Sequence, residues 1–215
     1  MLCELVNYPA SISGGSWQEA AYRLITQKPI ENIKLKTILD AAEVSKQTFY
    51  RYYADKYELA NELYYELTQK DIIDAEMVHF RADWEDMYLR QFRAFRQHMD
   101  FVKHLYTSKE TGCTLDYEIE STIKLDKILL SRNGADITDP RIMFAIEAKD
   151  VGGTYAMRDW ILGNMQVADE EMVQRFLMII PHILVPYIDA WKLKEWLSLE
   201  VKDFTATALF WLREL

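Results

Sequence analysis

The sequence predicts an all-α protein: a small N-terminal unit of three helices followed by a larger helical body. Apolar residues recur at three- and four-residue spacing along nearly the whole chain, while the alternation of a half-buried strand is scarce. Half of the 215 residues are hydrophobic and only 7 are Gly and 5 Pro, so a large core can be buried and disorder is not expected. Helix-start signals at Ser16, Asp55 and Asp139-Pro140 punctuate that pattern. The length allows one or two domains, and no internal repeat or low-complexity segment is visible.

In chain order, residues 1–15 read as an irregular arm, because Pro9, Gly14 and Gly15 discourage helix. Ser16 and Glu19 form a capping box, opening a helix that buries Trp17, Ala20, Ala21, Leu24 and Ile25. Pro29 interrupts it, and Asn32 is the expected cap of a second helix, Leu35 to Ala42. That helix carries Leu35, Ile38, Leu39 and Ala42 on one face, and small residues at Ala41 and Ala42 let a neighbour approach closely. Glu43-Val44 makes a tight turn with Val44 directed back into the seam. Ser45 then caps a third helix, Lys46 to Tyr52, which exposes Lys46, Gln47, Thr48, Tyr50 and Arg51 and turns Phe49 and Tyr53 inward. A helix with base-edge readers and phosphate binders on one surface fits the major groove of B-DNA. Asp55 and Glu58 cap a further helix from Lys56 to about His79, with Leu59, Leu63, Tyr64 and Leu67 inward.

The run AAEVSKQTFYRYYADKYEL, residues 41–59, resembles the DNA-binding signature AAGVSxGTxYxxFxxKxxL of TetR-type bacterial transcription regulators, and the likeness extends from Ser16 to about Lys70. It implies a helix-turn-helix DNA-binding head over residues 16–60, a connector helix to about residue 79, and a ligand-binding and dimerisation body over 80–215. On that resemblance Lys46, Tyr50, Tyr52 and Lys56 contact the DNA backbone, with Lys34 and Lys36 as further phosphate contacts. Gln47, Thr48 and Arg51 face base edges, and Ser45 stands at the helix start. The charge of Lys56 lies in a first helical turn, where phosphate is already attracted. Two positions depart from the signature. Glu43 and Gln47 stand where glycine is usual, and a positive φ in the turn would strain Glu43.

In the body, Trp84, Tyr88, Phe92 and Phe95 recur at helical spacing, followed by Phe101, His104, Leu105 and Tyr106. Gly112 ends that segment, and Leu115, Ile119, Ile123, Leu125, Ile128 and Leu129 predict another helix. The resemblance implies a small-molecule pocket here, for which Trp84, Tyr88, Phe92, Phe95, Phe101, His104, Tyr117, Phe144 and Tyr155 are the candidates. Read alone, such an aromatic stripe is core. Asp139-Pro140, an N-cap followed by Pro at the first helical position, opens a helix to Asn164 with small residues at Ala145, Ala148, Gly152 and Ala156. Asp169 is the expected cap of the next, which carries Val173, Phe176, Ile180 and Ile183. Residues 140–189 are expected to give two helices per chain to a four-helix dimer interface built on those eight residues. A last helix, about 193–215, carries Leu197, Val201, Phe204, Ala208, Trp211 and Leu215.

The net charge of −9 at first argues against nucleic acid, yet its distribution does not. Residues 1–60 hold seven basic and seven acidic side chains, leaving 18 basic against 27 acidic beyond them. Between Lys34 and Lys56 the balance is five to three in favour of positive charge. Cys3 and Cys113 form no metal or redox motif, and His79, His98, His104 and His182 lack metal-ligand spacing, so no metal or cofactor is expected. No signal peptide or membrane span is visible, which points to the cytoplasm. The expected function is a dimeric, ligand-responsive transcription regulator, most simply a repressor of a roughly palindromic operator released by a small-molecule effector. Alternatives are a co-regulator or scaffold of the same fold that no longer binds DNA, or an all-α enzyme. Against the enzyme, no nucleophile–base pair, metal cluster or phosphate loop is present.

Overall fold

The computed structural model describes residues 17–70, 78 and 81–188, and every regular element among them is helical. The arm at 1–15, the Ser16 cap and the last helix, 193–215, lie outside the described residues. The head consists of α1 (Trp17–Gln27), a 3-10 turn (Ile30–Asn32), α2 (Leu35–Ala42), α3 (Lys46–Phe49) and α4 (Lys56–Thr68). The body contains α5 (Arg81–Gln97), α6 (Met99–Tyr106), α7 (Thr114–Arg132), α8 (Pro140–Leu162) and α9 (Asp169–Met178). A second 3-10 turn (His182–Leu184) and one helical turn, α10 (Val185–Ile188), follow.

Several sequence expectations need correction. The connector α4 ends at Thr68, well short of His79. Thr68 Oγ1 donates to the Tyr64 carbonyl at 2.7 Å, a bond that competes with the helical ladder, and Gln69 turns its side chain into the body. Helix α2 is capped by the backbone of Lys34 rather than by Asn32, which belongs to the preceding 3-10 turn. Ala41 is exposed, so Ala42 alone supplies the close approach. Helix α9 has Ala168 at its N-cap, and Asp169 is free to pair with Arg96 at 2.8 Å instead. On α7, Ile128 is exposed whereas Glu118 and Asp126 are buried.

Head and body share one core. A single apolar cluster runs from Trp17, Ile38 and Phe49 through Leu59 and Tyr64 to Phe92, Phe101, Trp160 and Phe176. The junction is made by α1 lying on α6. Tyr22 stacks at 5.1 Å on Phe101 and its hydroxyl meets His98 Nδ1 at 3.1 Å, while His104 Nδ1 lies 2.7 Å from the Ile25 carbonyl. A second cluster, around Trp84, Leu129, Ile142, Ile146 and Leu184, fills the far end of the body.

Candidate functional site

The turn between α2 and α3 is built on a residue that the sequence marks as unsuited to it. Glu43 adopts φ 56°, ψ 34°, the left-handed conformation that closes a helix C-terminus, and Val44 N–H reaches back to the Leu39 carbonyl at 3.0 Å. A Cβ in that conformation costs about 1–2 kcal/mol. Ser45 caps α3 as expected: its Oγ accepts from Thr48 N–H at 3.0 Å and lies 2.8 Å from Thr48 Oγ1. Helix α3 is shorter than Lys46–Tyr52, closing at Phe49 with Tyr50 at its C-cap. Turn bonds from Arg51 to the Thr48 carbonyl and from Tyr52 to the Phe49 carbonyl carry the chain onward.

Phe49, fully buried, anchors this unit against Trp17 and Tyr53 at ring separations of 6.2 and 5.3 Å. That anchor forces the opposite side outward: Lys46, Gln47, Thr48 and Arg51 are exposed, and Tyr50 is 50% exposed with Lys46 Nζ over its ring at 5.6 Å. Lys34 and Lys36 are exposed nearby on α2 and its cap. Two of the expected DNA contacts also have partners within the chain. Tyr52 is half-buried edge-on to Trp17 at 5.3 Å. Lys56 Nζ donates to the carbonyls of Ile30, Glu31 and Ile33, at 2.7, 3.2 and 2.9 Å. All three ammonium donors are engaged there, so its geometry is that of a clamp holding the 3-10 turn against α4. Asp55 caps α4 through Tyr57 and Glu58 N–H, as the sequence led one to expect.

In the body, a cavity of about 40 Å³ lies between α5, α7, α8 and α9. Of the candidate pocket residues only Tyr88 lines it. Trp84, Phe92, Phe95 and Phe101 are fully buried core, His104 serves the head–body junction, and Tyr117 packs edge-on to Tyr64 at 6.2 Å. Phe144 and Tyr155 are 72% and 45% exposed, on the outer side of α8. Besides Tyr88, the cavity's polar residues are Gln91, Glu118, Thr122, Asp126, Lys149, Asp150 and Thr154, none of which sequence reasoning singled out. The signal was present: Glu118, Thr122 and Asp126 fall at helical spacing among Leu115, Leu125 and Leu129, and a charge on an apolar face asks for a partner.

Those partners are specific. Glu118 accepts from Gln69 Nε2 at 2.5 Å and from Gln91 Nε2 at 3.2 Å, and burial pushes its carboxyl up to about 7. Lys149 Nζ stands 2.5 Å from Asp150 and 2.9 Å from Asp126. Burial opposes the Lys149 charge, but the fields of Asp126, Tyr88 and Asp150 hold its ammonium well above the ordinary lysine value. Burial likewise raises Asp150 to about 7 and Tyr88 to about 12.

The dimer candidates divide. Ala145, Val173 and Phe176 are buried in their own chain, and Ile180 is half-buried. Ala148, Gly152, Ala156 and Ile183 lie on the outer surface with Phe144, Val151, Tyr155, Met178 and Ile179. The adjacent glycines have different roles. A Cβ on Gly153 would meet Ile179 at 3.4 Å and Phe176 at 3.5 Å, whereas one on Gly152 would meet nothing within 4 Å.

Among the described residues no group of acidic, His and Cys side chains is arranged to hold a metal, and no helix is long and apolar enough to cross a membrane. The family model described as "Bacterial regulatory proteins, tetR family" matches residues 19–63, and that described as "Transcriptional regulator C-terminal region" matches residues 82–182. Among solved structures, the chain is similar to that titled "Dihydroxyacetone kinase operon activator DhaS", with a TM-score of 0.51 and 16% identity, over 80% of this chain and 93% of that one. At that identity the likeness is one of fold. No curated protein sequence matches the chain.

Proposed function

The chain belongs to the tetR family of bacterial regulatory proteins and is a DNA-binding regulator of transcription, and from that premise we propose that it is a homodimeric repressor released by a small molecule. The observation that carries the reading is the display on α3: Gln47, Thr48, Tyr50 and Arg51 stand exposed on a unit whose other side is locked by Phe49. Gln47 and Arg51 face base edges, and Thr48, its hydroxyl already on Ser45, offers its methyl to a thymine. Lys46, Tyr50, Lys34 and Lys36 bind phosphate. Lys56 and Tyr52 act behind them, by positioning.

The two-fold axis of the dimer runs by the outer side of α8, where Phe144, Ala148, Gly152, Tyr155 and Ala156 form one stripe with Ile183 beside it. Two heads held by one body address two half-sites, so the operator is roughly palindromic. The effector binds in the body and, by preferring one head spacing, moves the population away from the DNA-competent form by no more than its differential affinity. The protein works in the cytoplasm, and its effect on a promoter depends on where the operator lies. Glu43, an acid in the turn, is the feature that favours a second reading, a co-regulator of the same fold without an operator. Genomic DNA pulled down by the purified protein separates the two. Recovery of a discrete, symmetric sequence at moderate salt is the expected result, and recovery of no sequence above non-specific background would overturn the regulator reading.

A further inference from the structure

The outer face of α8 carries a row of side chains left open among the described residues. Phe144, Ala148, Val151, Tyr155, Arg158 and Leu162 recur at 4-3-4-3-4 spacing. Phe144 is 72%, Tyr155 45% and Val151 38% exposed, and Arg158 and Leu162 are half-buried. A contiguous apolar strip of this kind on a helix is normally covered by another surface. The sequence beyond the described residues repeats the spacing. Leu197, Val201, Phe204, Ala208, Trp211 and Leu215 also run 4-3-4-3-4, and each stands 53 positions after its α8 counterpart, from Phe144 and Leu197 to Leu162 and Leu215. Laid side by side and parallel, the two rows meet layer by layer, large against small in Ala148 with Val201, Val151 with Phe204 and Tyr155 with Ala208. Arg158, whose guanidinium lies over the Tyr155 ring at 5.8 Å, comes level with Trp211, a second aromatic face for the same cation.

The path of the chain favours the same placement. Ile188, the last residue of α10, is buried with Leu184 in the cluster that holds Ile142 and Ile146 of the first turns of α8. Asn133 Nδ2, from the end of α7, donates to the Tyr187 carbonyl at 2.7 Å and fixes that exit. Only residues 189–192 separate Ile188 from residue 193, a reach of about 18 Å at most. A helix that starts there stays on α8 only by running parallel to it. The lengths agree, since α8 and residues 193–215 each span 23 residues, about 34 Å as helices.

We propose that residues 193–215 form an amphipathic helix that docks in its own chain, parallel to α8, on the row from Phe144 to Leu162. The matched family regions end at residue 182, so the family likeness assigns this segment nothing. Docking within the chain leaves the Gly152 and Ala156 side of α8 to the second copy, and does not itself rest on the homodimer proposed above.

Two full-length double variants test the assignment, Val151→Cys with Phe204→Cys and Tyr155→Cys with Ala208→Cys, each in a Cys3→Ser, Cys113→Ser background. A disulfide needs Cβ atoms about 3.5–4.5 Å apart, so it reports the register as well as the contact. After mild oxidation, non-reducing gels and peptide mapping separate a link within one chain from a link between two. Most of the folded protein should carry an intrachain link for at least one pair, and the off-row pair Val151→Cys with Ala206→Cys should carry none. Links between chains only, no link in the folded variants, or equal linkage of the off-row pair would overturn the proposal. Should the cysteine variants fail to fold, Val151→Glu and Phe204→Lys replace them. Each alone should lower the urea midpoint and the two together should recover part of the loss at every protein dilution, whereas additive losses would overturn the docking. Sedimentation of the oxidised protein keeps the two readings apart. An intrachain link in a monomer removes only the homodimer, and a dimer without an intrachain link removes only this inference.

Discussion

Gly152 offers a perturbation whose effects on fold and on assembly have opposite sign. It lies inside α8 on the outer surface, and a Cβ added there would meet nothing within 4 Å among the described residues beyond its own helical turn. Glycine in a helix interior is about 0.8–1.0 kcal/mol worse than alanine and leucine is nearly as good as alanine, so Gly152→Leu should stabilise the protomer by about 0.7 kcal/mol. Across a two-fold interface the same leucine enters twice. Overpacking costs about 1–3 kcal/mol per site, so the dimer should lose about 2–6 kcal/mol. At about 1.4 kcal/mol per decade, its dissociation constant should rise between roughly 30-fold and roughly 10⁴-fold. Sedimentation velocity over a dilution series measures the constant, and circular dichroism reports whether helix content is kept. A variant that dimerises like the parent would show that the α8 stripe is not the interface. One that loses its helices would show that Gly152 is packed within the chain and would refute the reasoning itself.

The head gives three further expectations and the body one. Lys56→Met should lower stability by about 1–2 kcal/mol through the loss of its carbonyl clamp. The salt dependence of operator binding should stay unchanged in that variant. Lys46→Ala should instead reduce the salt slope by about 0.9 with little effect on stability, and salt titrations of both variants, with their melting curves, check the assignment. Glu43→Gly relieves about 1–2 kcal/mol of left-handed strain against about 0.4–1 kcal/mol of added unfolded-state entropy. It should therefore raise the urea midpoint modestly, and a lowered midpoint would show that the Glu43 side chain has a stabilising partner. Glu118 stands near 7 in the fold against an ordinary value of 4.5, so the folded state holds a proton there that the unfolded state gives up. Its contribution is therefore undiminished below about pH 4.5 and is lost progressively as pH rises towards about 7, by a few kcal/mol at most. Glu118→Gln should flatten that fall in a series of urea unfolding curves, and an identical slope in parent and variant would place the titration elsewhere.

How much of this was legible in the chain depended on whether the deciding contact was local. Ser45 on Thr48 and Asp55 on Glu58 are bonds within one turn, and the α2 range and Phe49 anchor follow from spacing along a few residues. The carbonyl bonds of Lys56 were not legible, because its partners lie 23 to 26 residues away. A clue did exist, since a cation in the first turn of a helix opposes the helix dipole and needs a reason to be there. On α8 the spacing picked out Ala148, Gly152 and Ala156, which are exposed, together with Ala145, which is buried. Ala148, Gly152 and Ala156 sit about one position round the helix from the buried row of Ala145, Lys149, Gly153 and Met157, and nothing in spacing alone says which row faces inward. The aromatic stripe of α5 proved to be core because the space beside it is lined by charges from α7 and α8, brought there by packing that no local pattern specifies.

Glu118 joins the two ends of the molecule. Its carboxylate lines the cavity, and the same group accepts from Gln69, the residue that terminates α4. Helix α4 begins at Lys56, whose ammonium holds the 3-10 turn leading into α2, and α2 carries the turn on which α3 is set. A change of charge or position at Glu118 is thus applied directly to the end of the helix that supports the recognition surface. The aromatic junction of Tyr22, His98 and Phe101 resists independent movement of α1, since head and body share one core there. A ligand acting through Glu118 must therefore work by re-seating α4 together with α1 and α6 as packed units, the kind of two-arrangement element on which coupling between distant sites depends.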